Sequence, residues 1–135
     1  MTRLADWEAR LSAYLTEAFD RPLVYGEHDC ALHGANAILA VTGVDHGEPF
    51  RGRYSTELGA AKVLRTIGAG SLEATFDRLF PVVSIGLAGR GDIVLSDGAI
   101  GVCIGSDAVF VGQSGDREGL VRTSRREWSK AWAIR

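Results

Sequence analysis

Leu4, Trp7, Leu11, Tyr14, Leu15 and Ala18 recur at three- and four-residue intervals, with Glu8, Arg10 and Glu17 on the other faces. That period predicts an amphipathic helix with Asp6 as its N-cap, ended where Arg21-Pro22 removes a backbone donor. A second apolar stretch predicts a helix from Asp29 or Cys30 to Val41, closed by Thr42-Gly43. Residues 44–54, VDHGEPFRGRY, read as a loop in which His46 is solvated. Ser55 is placed to cap a third helix through Leu58, Ala61, Leu64 and Ile67, with Gly68 as its stop. Ser71 is placed to cap a short fourth through Leu72, Phe76 and Leu79, halted by Pro81.

After Pro81 the period shortens. Apolar runs at 93–95, 99–105, 108–112 and 120–124, punctuated by glycine, predict strands. Asp97-Gly98 and Ser106-Asp107 are turn signals between neighbours, which favours antiparallel hairpins. Residues 112–116, GQSGD, read as a mobile loop. Trp128 and Trp132, four apart, are expected to close the core. Helices first and strands afterwards give an α+β class, with the N-terminal helices packed on one face of a C-terminal antiparallel β-meander.

Composition adds bounds rather than detail. The 135 residues, 46% apolar and 24% charged, suit a single domain over residues 1–135 with its own core. A net charge of −2 gives no attraction to nucleic acid or to an anionic membrane. No apolar run reaches the length of a membrane-spanning helix, so no membrane insertion is expected. MTRLADWEAR carries charges throughout and lacks the apolar core of a signal peptide, which points to synthesis in a cytoplasm. Arg51, Arg53, Arg125 and Arg126 form two small basic pairs whose default is a solvated face.

The candidate chemistry sits in YGEHDCALHG, residues 25–34. Asp29 as N-cap would put Cys30 in the first helical turn, where the dipole and free N–H groups favour a thiolate. A thiolate there is a nucleophile, and the same N–H groups can hold an oxyanion. The alternative is a small, buried, inert cysteine. His33, three residues on, shares a helix face with Cys30, and His28 precedes the helix; these are the two candidate bases. Cys30 and His33 are also half of a zinc pattern, but no second closely spaced pair exists. Cys103 on a strand is a remote third ligand, with a fourth still to be found, or a disulfide partner for Cys30, and both uses are disfavoured. No cofactor and no metal are expected.

PLVYGEHDCALHGANAIL resembles the nucleophile segment of the NlpC-type, papain-like cell-wall peptidases, through Pro22, Tyr25, Gly26, Asp29 and Cys30 in order. GDIVLSDGAIGVCIGSDAVFVG is similar to the strands that follow in that superfamily, through Gly91-Asp92, Gly101, Ile104-Gly105 and Phe110. More narrowly, the tryptophan helix, G-x-H-D-C, Thr42 to Asp45, and the F-R-G-x-Y-x-T stretch at Phe50 to Thr56 are similar to small proteins encoded among phage and prophage tail genes.

The resemblance implies a papain-like NlpC-type fold with Cys30 as nucleophile and Asp29, His28 and His33 around it. The superfamily's base histidine would fall at Ala99, and the residue orienting it at Gly112, and neither side chain can do that work. The expected function is therefore a structural or assembly protein of the phage tail tip or baseplate. The alternative is an active peptidoglycan amidase or endopeptidase working through Cys30 during genome entry. Expected partners are other tail or baseplate proteins, with peptidoglycan as the second candidate. The expected location is the host cytoplasm during assembly and then the virion tail.

Overall fold

A computed structural model describes residues 2–135. Four helices come first: α1 (Trp7–Ala18), α2 (Cys30–Thr42), α3 (Glu57–Thr66) and α4 (Leu72–Leu79). Six strands follow: β1 (Val82–Val83), β2 (Ile93–Ser96), β3 (Ala99–Cys103), β4 (Asp107–Ser114), β5 (Arg117–Ser124) and β6 (Lys130–Trp132). They form one antiparallel sheet in the order β1-β6-β2-β3-β4-β5. The class is α+β, as the change of period at Pro81 requires.

The caps explain most boundaries, and two differ from expectation. Asp6 does not cap α1; its carboxylate instead takes a hydrogen bond from Arg10 one turn on. Thr56, not Ser55, caps α3 by accepting from the Gly59 N–H. Asp29 and Ser71 cap α2 and α4 as expected, accepting from Leu32 and Ala74. Gly43, left-handed at φ 79°, closes α2.

The β2–β3 turn is Asp97-Gly98 with both φ values positive, 51° and 77°, the twist a tight hairpin needs. Residues 112–116 are not a loose loop: β4 and β5 pair without interruption from Asp107↔Ser124 to Ser114↔Arg117. The tail is not helical. Ala131 and Trp132 lie on β6, which slots between β1 and β2.

The sheet is covered on both faces. Ile93, Leu95, Ile100, Val102, Val109, Leu120 and Trp132 face the helices and meet Leu11, Ala37, Ile38, Val41 and Phe76. Val94, Cys103, Ala108, Phe110 and Ala131 face the other way, under Ala88 and Trp128. The two tryptophans thus close the core from opposite faces. α2 lies directly on β3. A Cβ at Gly34 would come within 2.7 Å of Ile100 Cγ2, so glycine permits the close approach. α3 is the loosest element: none of its residues is buried, and Leu58 is 77% exposed. Among the described residues no helix is long and apolar enough to cross a membrane.

Candidate functional site around Cys30

The turn that delivers Cys30 is built from backbone. Val24 and His28 form an antiparallel bridge through two hydrogen bonds of 2.9 and 2.8 Å, which folds VYGEH into a tight reversal. Gly26 sits at φ 86°, and a Cβ there would lie 2.1 Å from the Tyr54 carbonyl oxygen, so only glycine fits. The Asp29 carboxylate holds three donors. It accepts from Leu32 N–H at 3.0 Å, from Gly26 N–H at 2.9 Å, and from the Tyr54 hydroxyl at 2.6 Å. Asp29 therefore organises the turn. Burial and the Asp29 carboxylate both push the Tyr54 hydroxyl's pKa upward, so it stays a neutral donor.

Residues 44–56 strap this turn down. Arg51 donates to both carboxylate oxygens of Asp45, at 3.1 and 2.9 Å, and to Asn36 at 2.6 Å. Gly52 N–H donates to the Gly26 carbonyl at 3.0 Å. Arg51 is thus a clamp rather than one of a solvated pair, and it holds the Asp45 pKa below the usual carboxylate range. His46 is not solvated either: its ring packs edge-on against Phe80 at 5.0 Å, and its Nε2 is buried without a partner. Arg125 also leaves the solvated reading. It donates to the Ile85, Ala88 and Gly105 carbonyls and lies over Trp128.

Cys30 is partly exposed and packs on the helix-facing core. It lines a cavity of about 70 Å³ together with Tyr25, Phe50, Tyr54, Ala60, Leu64 and Leu72. Burial pushes the thiol pKa up; the backbone of Ile100 and Ala31 pulls the other way and does not win. The helix N-terminus was expected to favour thiolate, and desolvation outweighs it.

His33 is fully buried and committed elsewhere. Val109 O can only accept, so Nε2 carries the hydrogen and donates to it at 3.0 Å. Nδ1 then accepts from the Tyr14 hydroxyl at 2.6 Å. Burial drives the His33 pKa down to about 4, which keeps the ring neutral. His33 pins α1 and β4 to α2, and neither nitrogen is free to take a proton from Cys30.

His28 is also buried, at 1% exposure, edge-on to His33 with ring centres 5.9 Å apart, and both of its nitrogens lack a partner. Burial lowers its pKa. Cys30 and Asp29 are therefore brought together with Tyr54, while the two histidines form a separate buried pair. Tyr54 and Tyr14 were missed as site residues. Tyr54 stood inside the F-R-G-x-Y-x-T stretch, but nothing in that spacing points its hydroxyl at Asp29.

Ala99 packs in the cluster on the far face of the sheet, and Gly112, on the same strand face as Ala108 and Phe110, also turns away from α2. Cys103 belongs to that far face too, so Cys30 and Cys103 lie on opposite sides of the sheet. No group of three or more His, Cys, Asp or Glu side chains among the described residues is arranged to hold a metal ion.

No curated protein and no solved structure matches the chain. Residues 2–134 match the family described as a domain of unknown function, DUF6950, and with all but the two terminal residues covered the chain belongs to that family.

Proposed function

We propose that this chain is a structural or assembly component of a phage tail tip or baseplate that keeps a degenerate NlpC-type, papain-like peptidase fold. The observation that carries the degenerate half is the commitment of His33. A cysteine hydrolase needs a base within hydrogen-bond reach of its nucleophile. Here the neighbouring histidine spends both nitrogens on Tyr14 and Val109, and the thiol's pKa is raised by burial. The tail half rests on the sequence resemblance of the Thr42–Asp45 and Phe50–Thr56 stretches, whose residues here build the strap over Cys30.

A dye-release assay on purified peptidoglycan, with Cys30→Ser alongside, tests the first half. No release above the serine variant is expected, and a release lost on Cys30→Ser overturns the reading. Mass spectrometry of purified virions and tail intermediates tests the second half. The chain is expected in one of them, and absence from both overturns the tail placement.

One observation favours the alternative of an active peptidoglycan hydrolase. Cys30 occupies the first turn of α2, at the wall of a cavity, with backbone groups of Ile100 and Ala31 beside the sulfur. In that reading a base would have to come from outside the buried histidine pair.

A further inference from the structure

A large concavity lies away from Cys30. It is a groove of about 1030 Å³ between the C-terminal half of α1 and the β4–β5 hairpin. Leu15, Phe19, Ile104, Val109 and Leu120 give it an apolar floor, and Arg90, Arg117 and Arg122 stand on its walls against one lining carboxylate, Asp20. The groove's end is fixed by backbone. Leu120 N–H and the Arg117 guanidinium both donate to the Phe19 carbonyl, at 3.0 and 3.2 Å, and a Cβ at Gly119 would sit 2.0 Å from that oxygen.

Two of the three guanidinium groups have no carboxylate partner, and the third has a long, exposed one. Arg117 donates to the Phe19 and Leu120 carbonyls and Arg90 to the Ser12 hydroxyl, so both spend hydrogen bonds without meeting a carboxylate. Arg122 is 72% exposed and reaches Asp107 only at 3.6 Å. Arg3, Arg10, Arg21, Arg51, Lys130 and Arg135 each hold a carboxylate, which Arg90 and Arg117 do not. Three arginines against one carboxylate over an apolar floor, in a chain of net charge −2, make the groove locally positive.

We propose that this groove docks an acidic segment of a partner protein, with apolar side chains seated on the floor and carboxylates reaching Arg90 and Arg122. The proposal deepens the assembly reading by naming its partner chemistry, and it rests on that reading only for the partner's origin. A protein segment fits better than nucleic acid. Three arginines stand around one apolar floor, whereas a phosphate backbone needs an extended basic track. Bidentate guanidinium–carboxylate pairs at the rim supply register and on-rate, and the buried floor supplies affinity.

The test is fluorescence anisotropy with a labelled dodecapeptide of repeated Glu-Glu-Leu, against a Lys-Lys-Leu peptide and a single-stranded oligonucleotide. The variant is Arg90→Glu with Arg122→Glu, checked for fold by circular dichroism; Arg117, which bonds Phe19, is left intact. The acidic peptide is expected to bind, the basic one not. Reversing two rim charges is expected to weaken binding about tenfold, and added salt to weaken it further. Any of four results overturns the proposal: no binding of the acidic peptide, equal binding by the variant, preference for the oligonucleotide, or self-association in sedimentation that the variant abolishes. All are read without peptidoglycan or virions, so this failure is separable from failure of the tail assignment.

Discussion

Replacing His33 with glutamine should flatten the acid dependence of stability. In the folded chain the buried imidazole has a pKa of about 4, against 6.5 for the free side chain. A folded-state pKa depressed below the unfolded one means that the unfolded chain binds the proton more readily. The stabilisation is fully present above pH 6.5, is lost as pH falls, and is gone at the folded value of about 4. At about 1.4 kcal/mol per pH unit, that gap costs about 3 kcal/mol across the window. His28, whose pKa is also lowered by burial, adds in the same direction. Glutamine keeps one donor and one acceptor for Val109 O and the Tyr14 hydroxyl but does not titrate. Its imperfect geometry should cost about 1–2 kcal/mol at pH 7. Urea unfolding at pH 7, 6, 5 and 4 reads both effects. The wild-type midpoint should fall by roughly 1–2 M between pH 6.5 and 4. The variant should start lower and fall much less, so that the two curves cross between about pH 6 and 5 and the variant is the more stable at pH 4. An equal fall in both proteins would refute the placement of His33 as a buried neutral pin.

Three further outcomes follow from the same geometry. With Cys103→Ser to isolate the signal, iodoacetamide alkylation of Cys30 should accelerate with pH through and beyond about 8.5, because burial disfavours the thiolate; a plateau reached below neutrality would contradict this. Tyr54→Phe removes a 2.6 Å donor from a buried carboxylate and should cost about 1–3 kcal/mol. It should also speed Cys30 alkylation as the strap loosens, and unchanged values of both would show that Tyr54 does not hold the turn. Ala99→His should leave peptidoglycan uncut, since that side chain joins the cluster on the face away from Cys30; hydrolysis by this variant would mean that the strand presents position 99 to the thiol.

The legible parts were those set by local rules. Alternating periods separated helices from strands, Asp29 and Ser71 announced their caps, and Asp97-Gly98 announced its hairpin. Each signal works within a few residues, so neighbours in sequence suffice to read it. The misread segments depended on distant partners. Residues 112–116 are polar and glycine-rich and resemble a loop, yet β5 pairs them into a hairpin. β6 carries only three residues, and it is a strand because β1 and β2 flank it. Arg51 and Arg125 looked solvated because Asp45 with Asn36, and the carbonyls of Ile85, Ala88 and Gly105, come from other parts of the chain.

The site divides along the same line. By itself the sequence determined that Cys30 opens a helix capped by Asp29, because capping is a contact between residues three apart. Whether that cysteine is reactive was decided only in three dimensions. The dipole that favours a thiolate is local, whereas the desolvation that opposes it comes from burial against a core assembled from distant parts of the chain. The spacing of Cys30 and His33 allowed a catalytic pair. Tyr14 from α1 and Val109 from β4 claimed both imidazole nitrogens instead, and a side chain's protonation chemistry belongs to whatever partners the fold packs against it.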